Sequence, residues 1–255
     1  MDNELRESVE KTIKDCLRKK FSHYKPKDNY MPFHHKLLGR DRYALYSFIH
    51  SLNTTFGSSV FEPVAVSLAR GRFAKAECQY VVGDELYSDC RDVIENIMSD
   101  LQTAKATPDK SVELQLLRQS LSGEKRKSKP TRVDLYLVDN DGVEWLFDMK
   151  SPKPNVGEFK GFKRTILEWS AVAMTTNSNV DVRALVAFTY NPFYPEHFQS
   201  WQMRGVLELD DVLIEKEFWD FLGGEGSYEE LLDCFERVGI EMRDEIDDYF
   251  KRFNV

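Results

Sequence analysis

The stretch TRVDLYLVDNDGVEWLFDMKSPKPN, residues 131–155, decides how the chain is read. Val133, Leu135 and Leu137 alternate with Asp134, Tyr136 and Val138, the period of two that marks a strand. Asn140, Asp141 and Gly142 supply turn chemistry, because glycine accepts the positive φ that a three-residue hairpin needs at its last position. The chain then returns through Val143 to Lys150, rich in aromatic and apolar residues as a half-buried strand is. With 140–142 as the loop, Asp139 pairs with Val143, and counting back sets Asp134 opposite Asp148. Asp148 and Lys150 lie two apart and so share a face. The expectation is a hairpin that gathers two carboxylates and an ammonium on one patch.

Facing carboxylates repel unless a cation lies between them. Mg²⁺ takes one or two protein carboxylates and fills its remaining positions with water or phosphate oxygens. A lysine beside such an ion can orient or deprotonate an attacking water, or offset charge on a pentavalent phosphate. This is the chemistry of phosphodiester hydrolysis. A solvated hairpin with an ordinary surface Asp–Lys pair accounts for the same three residues. Residues 139–142 also echo part of a calcium loop, but its distal glutamate and ligand spacing are missing.

Asp134, thirteen intervening residues and the run Asp148, Met149, Lys150 resemble the PD-(D/E)xK nuclease signature, with Val133 where that family often has proline. Longer runs carry the likeness further: MPFHHKLLGRDR at 31–42, FIHSLN at 48–53, FEPVA at 61–65, FKRTILEW at 162–169, EFWDFLGG at 217–224 and GIEMRDEID at 239–247. Together they resemble the TdeIII/MjaII-type type II restriction endonucleases from about residue 5 to about residue 250.

The resemblance implies an α/β fold with a restriction-endonuclease-like core, a mixed central sheet flanked by helices, and helical elaborations at both ends. It implies one domain over 1–255: a helical part at 1–57 with a DNA-binding loop at 24–42, a catalytic core at 58–205, and an acidic helical part at 206–255. The implied activity is Mg²⁺-dependent hydrolysis of both strands of double-stranded DNA, with Mn²⁺ able to substitute, at a short palindromic, GC-rich, interrupted site. A homodimer, a cognate methyltransferase as functional partner and a prokaryotic cytoplasmic setting come with it. In that mechanism Asp134 and Asp148, with the Met149 carbonyl, hold the metal, and Lys150 orients or activates water. Glu62 stands where related nucleases often carry an early acidic residue that helps bind metal or hold its water, and so is expected to assist. A structure-specific repair or recombination nuclease, or a non-catalytic DNA-binding module of the same fold, is compatible with the same chain.

Composition permits this reading without arguing for it. With 42% hydrophobic residues the 255-residue chain can bury a substantial core. No run approaches the ~18 apolar residues of a membrane span, and the opening MDNELRESVEK has no apolar signal core. Cys16, Cys78, Cys90 and Cys234 lack CxxC spacing, so free thiols are expected. The net charge is −8, yet residues 206–255 hold 16 acidic against 5 basic side chains, which leaves the remainder slightly basic. A basic surface toward phosphate is therefore possible, with the acidic end turned away.

In chain order, residues 5–21 form an amphipathic helix with a basic face. The loop at 24–42 offers His34, His35, Arg40 and Arg42 to DNA, and a helix is expected from about 41 to 53. Ser59 and Glu62 fit a capping box. Helices are expected at 83–103 and 112–121, followed by a charged, flexible connector at 123–130. A helix over 158–174 places Lys160, Lys163, Arg164 and Glu168 on or near its polar side. In this nuclease fold that helix lies near the active site, so Lys163 and Arg164 are the preferred phosphate ligands, joined by Lys153 and Lys160, with Glu168 as a supporting acid. A buried strand at 182–190 leads to a loop whose His197, Trp201 and Arg204 could meet bases. Three helices close the chain, at 211–222, at 227–238 with a capping box of Ser227 and Glu230, and at 240–253.

Overall fold

The structure, a computed structural model, describes residues 1–24, 31–150, 157–191, 193–198, 203 and 205–251; the side chains of 35, 38, 40, 41 and 53–55 fall outside that description. The helices are α1 (Asn3–His23), α2 (Pro32–Leu38), α3 (Arg40–Phe56), α4 (Glu62–Ala69), α5 (Ser88–Gln102), α6 (Lys110–Gln119), α7 (Glu158–Thr176), α8 (Lys216–Gly223), α9 (Ser227–Glu241) and α10 (Arg243–Lys251). The strands are β1 (Lys75–Tyr87), β2 (Lys125–Val138), β3 (Glu144–Lys150), β4 (Val182–Phe188) and β5 (Val212–Ile214). They belong to two compact units, Met1–Leu68 with Gly226–Val255, and Ala69–Glu225.

The second unit holds the sheet, in the order β1-β2-β3-β4-β5. The first three strands form an antiparallel meander, and β4 and β5 continue in parallel. A parallel step needs a crossover, which α7 provides between β3 and β4. The α7 residues Phe159, Ile166, Val172 and Ala173 are buried in one core with Tyr136, Leu146, Ala184, Val186 and Phe188 of the sheet. Phe147 meets Phe218 of α8 at a ring separation of 5.5 Å. Coverage by helices is why β4 is apolar at nearly every position.

Several expectations need correction here. The charged segment before the hairpin is not a flexible connector: residues 125–130 already belong to β2, with Lys125 opposite Tyr87 and Lys127 opposite Glu85. Pro130 is tolerated because the register shifts between Gly83 and Glu85, where a missing N–H breaks no ladder bond. Residues 83–87 are correspondingly strand, and α5 starts only at Ser88. Gly83 passes beneath α7, where a Cβ would come within 2.7 Å of Thr176 Oγ1. The loop at 24–42 contains α2, and the segment 211–222 is split among a 3₁₀ turn (Leu209–Asp211), β5 and α8.

In the first unit neither capping box forms. Ser59 sits inside a π-helical turn, Gly57–Phe61, that runs α3 on toward α4. The N-cap of α9 is Gly226 in the left-handed region, and Glu230 instead accepts from Arg6 at 3.4 Å. The basic face of α1 meets the acidic C-terminal helices: Lys14 pairs with Glu241 at 2.5 Å and Arg18 with Glu245 at 2.6 Å, while one pair runs the other way, Glu10 of α1 with Arg237 of α9 at 2.6 Å. Tyr249 of α10 stacks on Phe21 of α1 and packs against Phe48 of α3, which puts Tyr249 in the core of this unit.

Candidate active site

The hairpin has the register expected of it. Asp139 N–H donates to the Val143 carbonyl and Gly142 N–H to the Asp139 carbonyl, with Gly142 at φ 84°. The Asp139 carboxylate accepts from the backbone of Asp141 and Val143 and from the Trp145 indole. Those donors hold it below the usual carboxylate range, the indole foremost. Asp139 is thereby committed to the turn rather than to a calcium ion. From Val138 opposite Glu144 the ladder runs to Leu135 opposite Phe147, so the next step sets Asp134 beside Asp148.

At that step the backbone ladder gives way to side chains. Asp134 Oδ2 accepts the Met149 N–H at 2.9 Å, and its Oδ1 faces Gln79 Nε2 of β1 at 3.5 Å. Asp148 is 4% exposed, and Lys150 Nζ pairs with its Oδ1 at 2.6 Å. Burial pushes the Asp148 carboxyl up to about 6, with Lys150 opposing the rise and Asp134 adding to it. The Lys150 ammonium also lies 5.5 Å from the Phe162 ring centre.

This is the donor set a small divalent cation uses: two carboxylates on rigid neighbouring strands, with positions left for water and phosphate. A cation here would offset the repulsion between the two carboxylates that adds to burial in raising the Asp148 carboxyl. Among the described residues no group of three Asp, Glu, His or Cys side chains converges, and the candidate ligands are the two hairpin carboxylates.

The structure brings Asp134, Asp148 and Lys150 together. Glu62 is buried at the start of α4, in the first unit. Lys163, expected on the polar side of α7, is fully buried between Glu113 at 2.5 Å and Asp211 at 2.8 Å, where no phosphate reaches it. The cause is local: α6 and the 3₁₀ turn cover α7 there and present acids to it. Arg164 grips Glu95 of α5 through two bonds, at 2.6 and 2.8 Å, and lies 3.8 Å from Glu168. Glu168 therefore belongs to this surface group, its carboxyl raised mainly by desolvation against the pull of Arg164. Lys160, Arg42 and His34 are exposed. Lys153 and Arg204 lie outside the described residues, as do the side chains of His35 and Arg40. Gln79 escaped the sequence reading, because nothing in a lone glutamine on an edge strand signals a site.

The meander of β1, β2 and β3, continued in parallel through α7, is a restriction-endonuclease-like fold. The sequence profile of a family described as "Type II restriction endonuclease, HinfI" matches residues 1–239. The chain belongs to that family. It is 30% identical to the type II restriction enzyme MjaII of Methanocaldococcus jannaschii over 209 residues, 76% of this chain and 55% of MjaII. The chain thus spans about half the length of that relative. It is 29% identical to HgiCII of Herpetosiphon aurantiacus over 221 residues, 84% of this chain and 80% of HgiCII. HgiEI of the same organism is also 29% identical, over 220 residues. The expected kinship with MjaII is borne out, within a family named for HinfI.

Proposed function

We propose that this protein exercises its family's activity as a Mg²⁺-dependent endonuclease that cuts both strands of duplex DNA at a short, palindromic, GC-rich, interrupted site. The observation that carries the reading is the opposition of Asp134 and buried Asp148 across the hairpin, with the Lys150 ammonium on Asp148. A divalent ion bound by these carboxylates would polarise the scissile phosphate and acidify a bound water. The protein's part is to hold and shape that site. Asp134 and Asp148, with the Met149 carbonyl, would hold the ion, and the Met149 N–H fixes the Asp134 carboxylate. Lys150 would leave Asp148 to orient the attacking water or, once it has given up its own proton to solvent, to accept one from that water. Glu62 is proposed as a further acid for metal or water, and exposed Lys160, Arg42 and His34 as phosphate contacts. A palindromic site calls for a homodimer whose two-fold axis matches it, and host DNA would be protected by a cognate methyltransferase. Mn²⁺ would serve in place of Mg²⁺.

Incubating the purified protein with unmethylated phage DNA, with and without Mg²⁺, tests this directly. A fixed ladder of fragments appearing only with the metal is expected, with ends that sequence to one palindrome. Smears or nicks would point to structure-specific cutting instead, and intact DNA in both Mg²⁺ and Mn²⁺ to a non-catalytic module.

A further inference from the structure

Gln79 of β1 has a backbone that needs explaining. Its φ is +55°, in the left-handed region, inside a strand. Non-glycine residues there are strained, and glutamine lacks the short side chain that lets asparagine and aspartate visit it. In the ladder it falls between the pairs Cys78–Leu135 and Tyr80–Val133, which places it opposite Asp134. The pleat reverses at this point. Lys75 and Tyr80 have opposite parity, yet the Lys75 ammonium lies 4.1 Å from the Tyr80 ring centre, and both meet Tyr136. A glycine would allow the same reversal without strain. The side chain therefore has a use, and its amide faces Asp134 Oδ1 while Met149 N–H occupies Oδ2.

We propose that Gln79 is a positioning residue of the nuclease site, its carboxamide fixing the Asp134 carboxylate from the side opposite Met149 so that it is presented toward Asp148. Strain of this kind persists where surrounding structure holds it, and it gathers at functional sites. The proposal rests on the nuclease reading of the carboxylate pair and adds the residue that aims one of its members. Outer partners of metal ligands have effects of about 10–100-fold on affinity, which sets the size of effect to look for.

The test compares wild type with Gln79→Gly, Gln79→Asn and Asp134→Asn. Mn²⁺ binding to DNA-free protein is followed by electron paramagnetic resonance, alongside thermal melting and cleavage. Gln79→Gly is expected to melt at or above the wild-type temperature, since its backbone strain is gone, yet to bind Mn²⁺ about tenfold more weakly and to cut correspondingly slowly. Gln79→Asn, which keeps an amide and tolerates the left-handed region, should recover part of both losses. A Gln79→Gly protein that binds Mn²⁺ and cleaves like wild type, while Asp134→Asn does neither, would overturn the role of Gln79 alone. Wild type and Asp134→Asn binding Mn²⁺ equally would overturn the site reading, and this proposal with it.

Discussion

Asp148 shows how a single residue carries both the cost and the use of the site. Its carboxyl is raised to about 6 because burial penalises the charge, Asp134 repels it, and Lys150 compensates only in part. In the unfolded chain it titrates near the ordinary Asp value of about 3.9. The folded state therefore gains from the proton: this stabilisation is full below about pH 4 and is lost as pH rises through about 6. Above that range, without metal, the charged form costs up to about 3 kcal/mol. Asp148→Asn should accordingly raise metal-free stability at pH 8, by about 1–3 kcal/mol, while abolishing cleavage. Chemical denaturation checks this, and a less stable variant would refute burial as the dominant influence on Asp148. The same proton competes with the metal. Half-saturating Mg²⁺ in cleavage assays should rise about tenfold per pH unit below about pH 6 and be flat above it; a flat profile down to pH 5 would place the titration elsewhere.

At the level of elements, the buried cation of α7 is a structural tie. Lys163 lies between Glu113 of α6 and Asp211 of the 3₁₀ turn before β5, and Lys110 reaches the same Asp211 at 3.2 Å as well as the Ala184 carbonyl of β4 at 2.7 Å. Desolvation raises the Glu113 carboxyl and lowers the Lys110 ammonium, so each charge depends on its partners to remain ionised. Lys163→Met would leave two buried carboxylates short of a counter-charge. The expected loss is about 3–5 kcal/mol of stability, with unchanged DNA affinity for the protein that remains folded. Thermal melting and a binding titration at low temperature separate the two effects. A variant that kept its stability and lost DNA affinity would return Lys163 to the phosphate contacts.

Across the whole molecule, charge is distributed by pairing as much as by surface. The basic face of α1 is matched by Glu241 and Glu245, so the acidic C-terminal helices neutralise a helix that could otherwise have faced DNA. Each released phosphate counterion contributes about one to the dependence of log affinity on log salt. Replacing both Lys14 and Arg18 by Ala should leave that slope and the affinity at low salt unchanged. A slope lower by about two would put α1 on the DNA.

What was legible in the sequence was local and periodic. The turn residues 140–142 and the alternation on either side determine the hairpin register, because a two-residue pleat and one glycine leave a single in-register pairing. That register alone set Asp134 against Asp148 with Lys150 on the same face, and the long runs indicated the family. Only the tertiary structure decided what the sequence leaves open at long range. A lysine on an amphipathic helix reads as solvated until α6 and the 3₁₀ turn bring Glu113 and Asp211 over it. A charged run reads as a connector until the edge strand β1 supplies hydrogen-bond partners for residues 125–130. Gln79 has no signal at all in one dimension, since its left-handed backbone and its place opposite Asp134 arise only from pairing between segments more than fifty residues apart.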